Sequence, residues 1–514
     1  MNKFLAELKE IQNFTTTENG AVAFRSTGNA MLDAFGSLGA MKDSSVESIL
    51  KTFDLAFNEN PEMAMKLLFY IRDVRGGQGM RRVFRVIITH LAYTHPELVV
   101  ANLENILFFG RGDDYLCLLD TPVEKAVIEY IYRVVSDDLA LIAHGQPCSL
   151  LGKWLPSENA SSMETKRYAN KLIKGLKLTP KQYRKMLTTL RRNIGIVETY
   201  MSKNEWDKIA FSKVPSRASM IYSDAFQKHC LDEYIQYLKD VAEGKATINA
   251  GALFPVDIIH KSLEIGWGNK NIKDRYLLEG MWNALPNYLE GLNETGICVV
   301  DTSGSMYGTP LEVALSLGIY CADKCNGPFK NHFLTFSSRP HLQEIVGETI
   351  VDKVANMERA GWEMNTNIEA VFNLILDTAI RNNLKQEDLP SKLYIISDMQ
   401  FDTCIHVDER HKFSGTFMDA MESKFAEHGY ILPAIVYWNV RASNCGMFQK
   451  KFGDHNCCMV SGYSPSLFKS VIEGTDYIEE QKEDGTKITK QVIDPMTVME
   501  RTLNNERYDR VICK

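Results

Sequence analysis

No CxxC pair occurs among the eleven cysteines, whose number is odd and whose spacing is scattered. A disulfide scaffold is denser and a zinc site is paired, so both are excluded and eleven reduced thiols are expected. No apolar run approaches the ~18 residues that a membrane span needs. Lys3, Glu7, Lys9 and Glu10 break up the first ten residues, which rules out a signal peptide. These absences predict a soluble, cytoplasmic chain with no membrane partner. Catalytic signatures are missing as well: there is no GxxxxGK(S/T) phosphate loop and no GxSxG elbow.

What is present is ordinary globular composition, 45% hydrophobic and 24% charged, over 514 residues, enough for two to four domains. The net charge of −7 hides an asymmetry. Residues 151–230 carry 16 Lys and Arg against 6 Asp and Glu, a basic block in an acidic chain. Such a block predicts a localised polyanion site.

Two hydrophobic periods divide the chain. From residue 43 to about 290 apolar residues recur at three and four, with Ser, Thr or Pro at the starts and Gly or Pro at the stops. VESILKTFDLAF, EMAMKLLFYIRDV and GMRRVFRVIITHLAYTH are examples. Short loops between such helices predict a HEAT-like α-solenoid over 1–290. Beyond Leu292, GICVVD, NHFLTF, KLYIIS and ILPAIVYW are short, continuously apolar runs separated by helical stretches. That alternation predicts a doubly wound, Rossmann-like parallel sheet over 291–514, making the fold class α plus α/β. YIEEQKEDGTKITKQVI alternates around Asp484-Gly485 and predicts a β-hairpin insertion near 477–493.

The first of these strands ends in Asp301-Thr302-Ser303-Gly304-Ser305. Three oxygen side chains at alternate positions between a strand and a helix stand where open α/β sheets bind ligands. Hard oxygens of this kind suit Mg²⁺, or Mn²⁺ in its place. Thr366, in GWEMNTN, and Asp398, closing KLYIIS, fall at two further strand-to-helix junctions, with Asp402 a neighbour beyond the first ring of ligands. A haloacid-type phosphatase needs an acid two residues after its aspartate, and Ser303 stands there, so Asp301 is not read as a nucleophile. The pattern resembles the von Willebrand factor A domain and its metal-ion-dependent adhesion site. That resemblance implies Asp301, Ser303, Ser305, Thr366 and Asp398 as metal ligands.

The helical half carries basic residues in sets. Arg72, Arg75, Arg81, Arg82 and Arg85 flank the turn Gly76-Gly77-Gln78-Gly79, where glycines permit close approach of a ligand. Arg167, Lys171 and Lys174 share one helical face, and Lys181, Lys185 and Arg192 another, with Arg191 alongside. Together they predict a phosphate-backbone surface.

FYIRDVRGGQGMRR, KWLPSEN, SKVPSRA and NNERYD, with the domain order, resemble the bacterial, phage and plant relatives of the Ro autoantigen. Those proteins join a TROVE-like helical region to a C-terminal von Willebrand factor A domain. The resemblance implies HEAT-like helices closed into a ring, and a non-enzymatic ribonucleoprotein component binding structured or misfolded RNA. The alternative is an adaptor without RNA, whose metal captures a carboxylate of a protein partner, for example alongside an AAA+ ATPase.

Overall fold

The computed structural model describes residues 12–18, 20–266, 272–292, 295–336, 339–358, 367–401, 417–442, 448, 456–481 and 487–513. The chain divides into two compact units: Met1–Asn60 with Leu253–Asn505, and Pro61–Ala252 with Glu506–Lys514. This division departs from a single boundary near residue 290. Helices Pro255–Gly266 and Ile272–Asn283 have the helical period, yet pack on the helices beside the sheet, Thr309–Lys324 and Ile350–Glu358. Trp282 fixes this arrangement by donating Nε1–H to Asp323 at 2.8 Å.

In the first unit a small hairpin pairs β1 (Phe14–Thr16) with β2 (Val22–Phe24). The main sheet comprises β3 (Ile297–Asp301), β4 (His332–Phe336), β5 (Leu342–Glu344), β6 (Lys392–Ser397), β7 (Ala434–Asn439) and β8 (Cys457–Ser461). Its order is β5-β4-β3-β6-β7-β8, parallel throughout except for the antiparallel edge strand β5. Strands β3, β6, β7 and β8 are buried along their whole length, the consequence of helices lying on both faces. On one face Val299, Leu393, Ile395 and Ile435 meet Val371, Phe372 and Leu376 of helix Ile368–Asn382 and Phe425 of helix Phe417–Glu427. On the other, helix Thr309–Lys324 lies so close that a Cβ at Gly318 would stand 2.6 Å from Val300. Each fully buried aliphatic side chain contributes roughly 1.5–3 kcal/mol relative to exposure. Beyond β8, β9 (Thr475–Gln481) and β10 (Lys487–Ile493) form an antiparallel hairpin.

Thr17, Phe35 and Ser44 meet residues that end or follow β6, β7 and β8. Thr17 Oγ1 donates to the Phe401 carbonyl at 2.6 Å, Ser44 Oγ to Ala442 at 2.5 Å, and Ser461 Oγ to Phe35 at 2.7 Å.

The second unit is helical. Its longer members are Pro61–Arg72, Arg81–Thr94, Glu124–Ala143, Met163–Gly175, Pro180–Ile194, Ser216–His229 and Leu231–Ala242. The tail joins it through Arg507, whose Nη2 donates to Asp73 at 2.8 Å, and through Tyr508, whose hydroxyl donates to Asp73 at 3.1 Å. Tyr508 also stacks on Phe109 at 5.4 Å. Among the described residues no helix is long and apolar enough to cross a membrane. Nine cysteines are described, and all nine are free thiols; Cys404 and Cys445 lie outside the described residues.

Candidate functional site

The order of the main sheet reverses direction between β3 and β6: the chain leaves β3 toward β4 on one side, then returns to β6 on the other. Loops diverge at such a switch point and leave a crevice at the carboxyl edge. Asp301 ends β3 there and Asp398 follows β6. Asp301 is fully buried; its Oδ1 accepts the Ser303 N–H at 2.9 Å and its Oδ2 accepts the Ser397 hydroxyl at 2.5 Å. Asp398 Oδ1 accepts the Gln400 N–H at 3.2 Å, and the Ser305 hydroxyl stands near enough to lower the same carboxyl. Between them Met399 is held at φ 65°, left-handed backbone that costs a non-glycine residue roughly 1–2 kcal/mol.

The electrostatics are one-sided. Burial pushes the Asp301 carboxyl up to about 7, with the negative charge of Asp398 adding to it against bonds from Ser397 and Ser303. Burial raises Asp398 too, against its hydrogen bonds and the charge of Arg441, with Glu18 pushing the same way as burial. Among the described residues no cationic side chain forms an ion pair with either acid. Two buried carboxylates without an ion-pair partner are costly when ionised, a cost that a proton or a bound cation relieves.

A hard divalent cation fits the donor set. Ser303 Oγ and Ser305 Oγ lie 3.1 Å apart. Neighbouring ligands on an octahedral Mg²⁺ with bonds of about 2.1 Å are separated by about 3 Å. Asp301, Ser303, Ser305 and Asp398 are thus brought to one edge, while Thr366 and Asp402 lie outside the described residues. Among the described residues no group of three or more His, Cys, Asp or Glu is placed to hold a metal, so this cluster depends on hydroxyls beside its two acids. Sequence reasoning missed Ser397, which orients Asp301, and Arg441, which lies beyond the end of β7. The signal for both was position: each stands at or just past the end of an inner strand.

The basic residues separate into two kinds. Arg72 is 1% exposed, with Nε and Nη2 each 2.7 Å from Asp114. Burial pushes its guanidinium below the usual value, while Asp114 pulls the other way. Arg85 bridges Asp114 at 2.7 Å and Asp113 at 3.0 Å, and Arg111 holds Asp113 and lies 3.9 Å over the Trp154 ring. Burial raises Asp113, but the bonds and charges of Arg111 and Arg85 outweigh it and hold the carboxyl at about 2. Arg81 reaches Asp113 only at 3.8 Å, while Arg75 and Arg82 lie at the surface. The glycines of the turn approach this chain itself: a Cβ on Gly77 would stand 1.9 Å from the Tyr70 carbonyl oxygen.

Arg167 and Lys171 pair with Asp120, and Lys171 also with Glu124. Arg191 ties down the KWLPSEN segment, donating to the carbonyls of Gly152 at 3.1 Å and Leu155 at 2.7 Å and to Ser157 Oγ at 2.9 Å. Lys174, Lys181, Lys185 and Arg192 remain exposed, outside these networks. The last three share the outer face of helix Pro180–Ile194, which starts in a Thr179–Gln182 capping box, ends at left-handed Gly195, and buries Tyr183, Leu187 and Leu190 inward.

Comparison with known proteins places two family models along the chain, both described as domains of unknown function. DUF2828 matches residues 17–114 and 148–293, and DUF7788 matches 295–503. The two meet at the period change near 290, whereas the spatial units part at 60, 252 and 505. The chain is also similar to the uncharacterized protein L728 of Acanthamoeba polyphaga mimivirus, at 29% identity over 97% of this chain and 90% of that protein.

Proposed function

We propose that the chain is a non-enzymatic binding protein whose sheet unit works as a von Willebrand factor A-like adhesion module. The observation that carries this reading is the meeting of Asp301, Ser303, Ser305 and Asp398 at the switch point, two buried acids without an ion pair among the described residues beside two hydroxyls. These four side chains, with Thr366, would hold Mg²⁺ or Mn²⁺. When bound, the cation supplies a Lewis-acidic position for a carboxylate oxygen of a protein partner. Ser397 and the Ser303 N–H orient Asp301, and the tight seat of Gly318 on Val300 fixes the helix that follows the loop. Among the described residues the hydrogen-bond partners of Asp301 are Ser303 and Ser397, neither of them a His, Cys or acid, and the reading is therefore of binding rather than catalysis. Calorimetry with Mn²⁺ tests the reading: Asp301→Ala with Ser303→Ala should abolish the heats while circular dichroism is unchanged. Equal heats in both proteins would overturn it.

A second reading rests on the exposed basic row Lys181, Lys185 and Arg192 with Lys174. In it the helical unit is a TROVE-like, HEAT-like stack that binds structured or misfolded RNA in the cytoplasm, as the Ro resemblance implies. Each neutralised phosphate on a single strand adds about −0.7 to the slope of log affinity against log salt. Changing Lys181, Lys185 and Arg192 to Glu should therefore weaken many RNAs alike and flatten that slope by roughly 2. Filter binding that finds no RNA affinity in the unaltered protein at 50 mM salt would remove this reading and leave the adaptor.

A further inference from the structure

Arg441 follows β7 at the same carboxyl edge. Its Nη1 donates to the Ser305 carbonyl at 2.7 Å, and its backbone N–H donates to Asn439 Oδ1 at 3.0 Å. The side chain is exposed, and among the described residues Nη1 is the one guanidinium nitrogen engaged. Its charge reaches Asp398, yet it forms no ion pair with it. Tyr307, two residues past Ser305, is 84% exposed, so the rim beside the loop is open to solvent. A guanidinium presents five N–H donors in a fixed fork that matches a carboxylate. Anchoring one of them to a backbone carbonyl sets the fork in place before a ligand arrives, which lowers the entropy lost on binding.

We infer that Arg441 is a specificity-determining residue of the adhesion edge, gripping the partner's Asp or Glu carboxylate beside the cation position. The partner is an acidic segment of another protein. This inference rests on the proposed cation site but assigns a separate residue and a separate contact. An exposed basic side chain beside two buried acids has no stabilising role toward a cation, since like charges repel. Its benefit falls on an incoming anion.

That opposition of sign supplies the test. Mn²⁺ binding to the full chain is measured by calorimetry, and acetyl-glutamate amide is then titrated into the Mn²⁺-loaded protein while water proton relaxation is followed. Arg441→Gln should weaken the glutamyl probe about tenfold while Mn²⁺ affinity holds or rises up to threefold. Arg441→Lys should recover part of the probe affinity, because it restores charge without the fork. Mn²⁺ binding retained with unchanged probe affinity in Arg441→Gln overturns the role of Arg441 alone. A joint fall of Mn²⁺ and probe affinity assigns Arg441 to the structure of the loop and also overturns it. Absence of Mn²⁺ binding in the unaltered protein overturns the site on which it rests.

Discussion

Asp114→Asn removes one negative charge from the centre of the helical unit and nearly nothing else. The Asp114 side chain is 0% exposed and that of Arg72 2%, so the guanidinium would be left buried without its counter-charge. Breaking a buried pair from one side costs about 3–5 kcal/mol. Arg85 would lose its Asp114 bond too but keep Asp113, which limits the added loss. Arg72→Met is the informative contrast, since it removes the buried charge itself and leaves Asp114 with Arg85 and the Arg111 N–H. Its cost should be about 1–3 kcal/mol, the lost hydrogen bonds to a charged group. Hydrogen exchange in urea, read on peptides from helices Pro61–Arg72 and Arg81–Thr94, isolates this unit in the full chain. With a slope of about 2 kcal/mol per molar urea, Asp114→Asn should lower the midpoint by roughly 2 M and Arg72→Met by less. A loss below about 1 kcal/mol for Asp114→Asn would refute the buried-pair account. So would an Arg72→Met protein of unchanged midpoint but weakened RNA binding.

Gly77→Ala should destabilise the same unit by about 1–3 kcal/mol in urea melts, because the Tyr70 carbonyl is backbone and cannot turn aside. Gly145→Ala, with nothing within 4 Å but φ +71°, should cost only about 1 kcal/mol. Asp113, held at about 2, gives a pH dependence of definite sign. A depressed folded value contributes stability that is complete above the ordinary carboxyl value near 4 and is lost as pH falls toward 2. Its size is about 2 kcal/mol. Arg111→Gln should shrink the fall in melting temperature between pH 5 and pH 2.5; an equal fall would contradict the assignment.

The sheet was legible because parallel strands buried on both faces must be apolar throughout. GICVVD, KLYIIS and ILPAIVYW are therefore visible as runs, and an oxygen motif at the end of such a run lies at a strand edge. That reasoning located Asp301, Ser303, Ser305 and Asp398. Ser397 reads in sequence only as the last residue of an apolar run, and Arg441 was one cation among many until the register of β7 beside β6 set it next to Ser305.

Periodicity gives each helix its inward face but not the surface it packs on. Helices Pro255–Gly266 and Ile272–Asn283 accordingly have the pattern of the helical half and pack with the sheet. Charge is ambiguous in the same way. Arg72 and Arg75 are three residues apart, alike in type, and a Lys or Arg in a row reads as a surface cation. Only folding brings Asp114, 42 residues on, against Arg72, and Arg507, 434 residues on, against Asp73. Composition and period are local properties and determined the elements and the oxygen-rich motif at the end of β3; counter-charges come from distant chain, so the tertiary structure alone decided which arginines are interior and which basic residues face solvent.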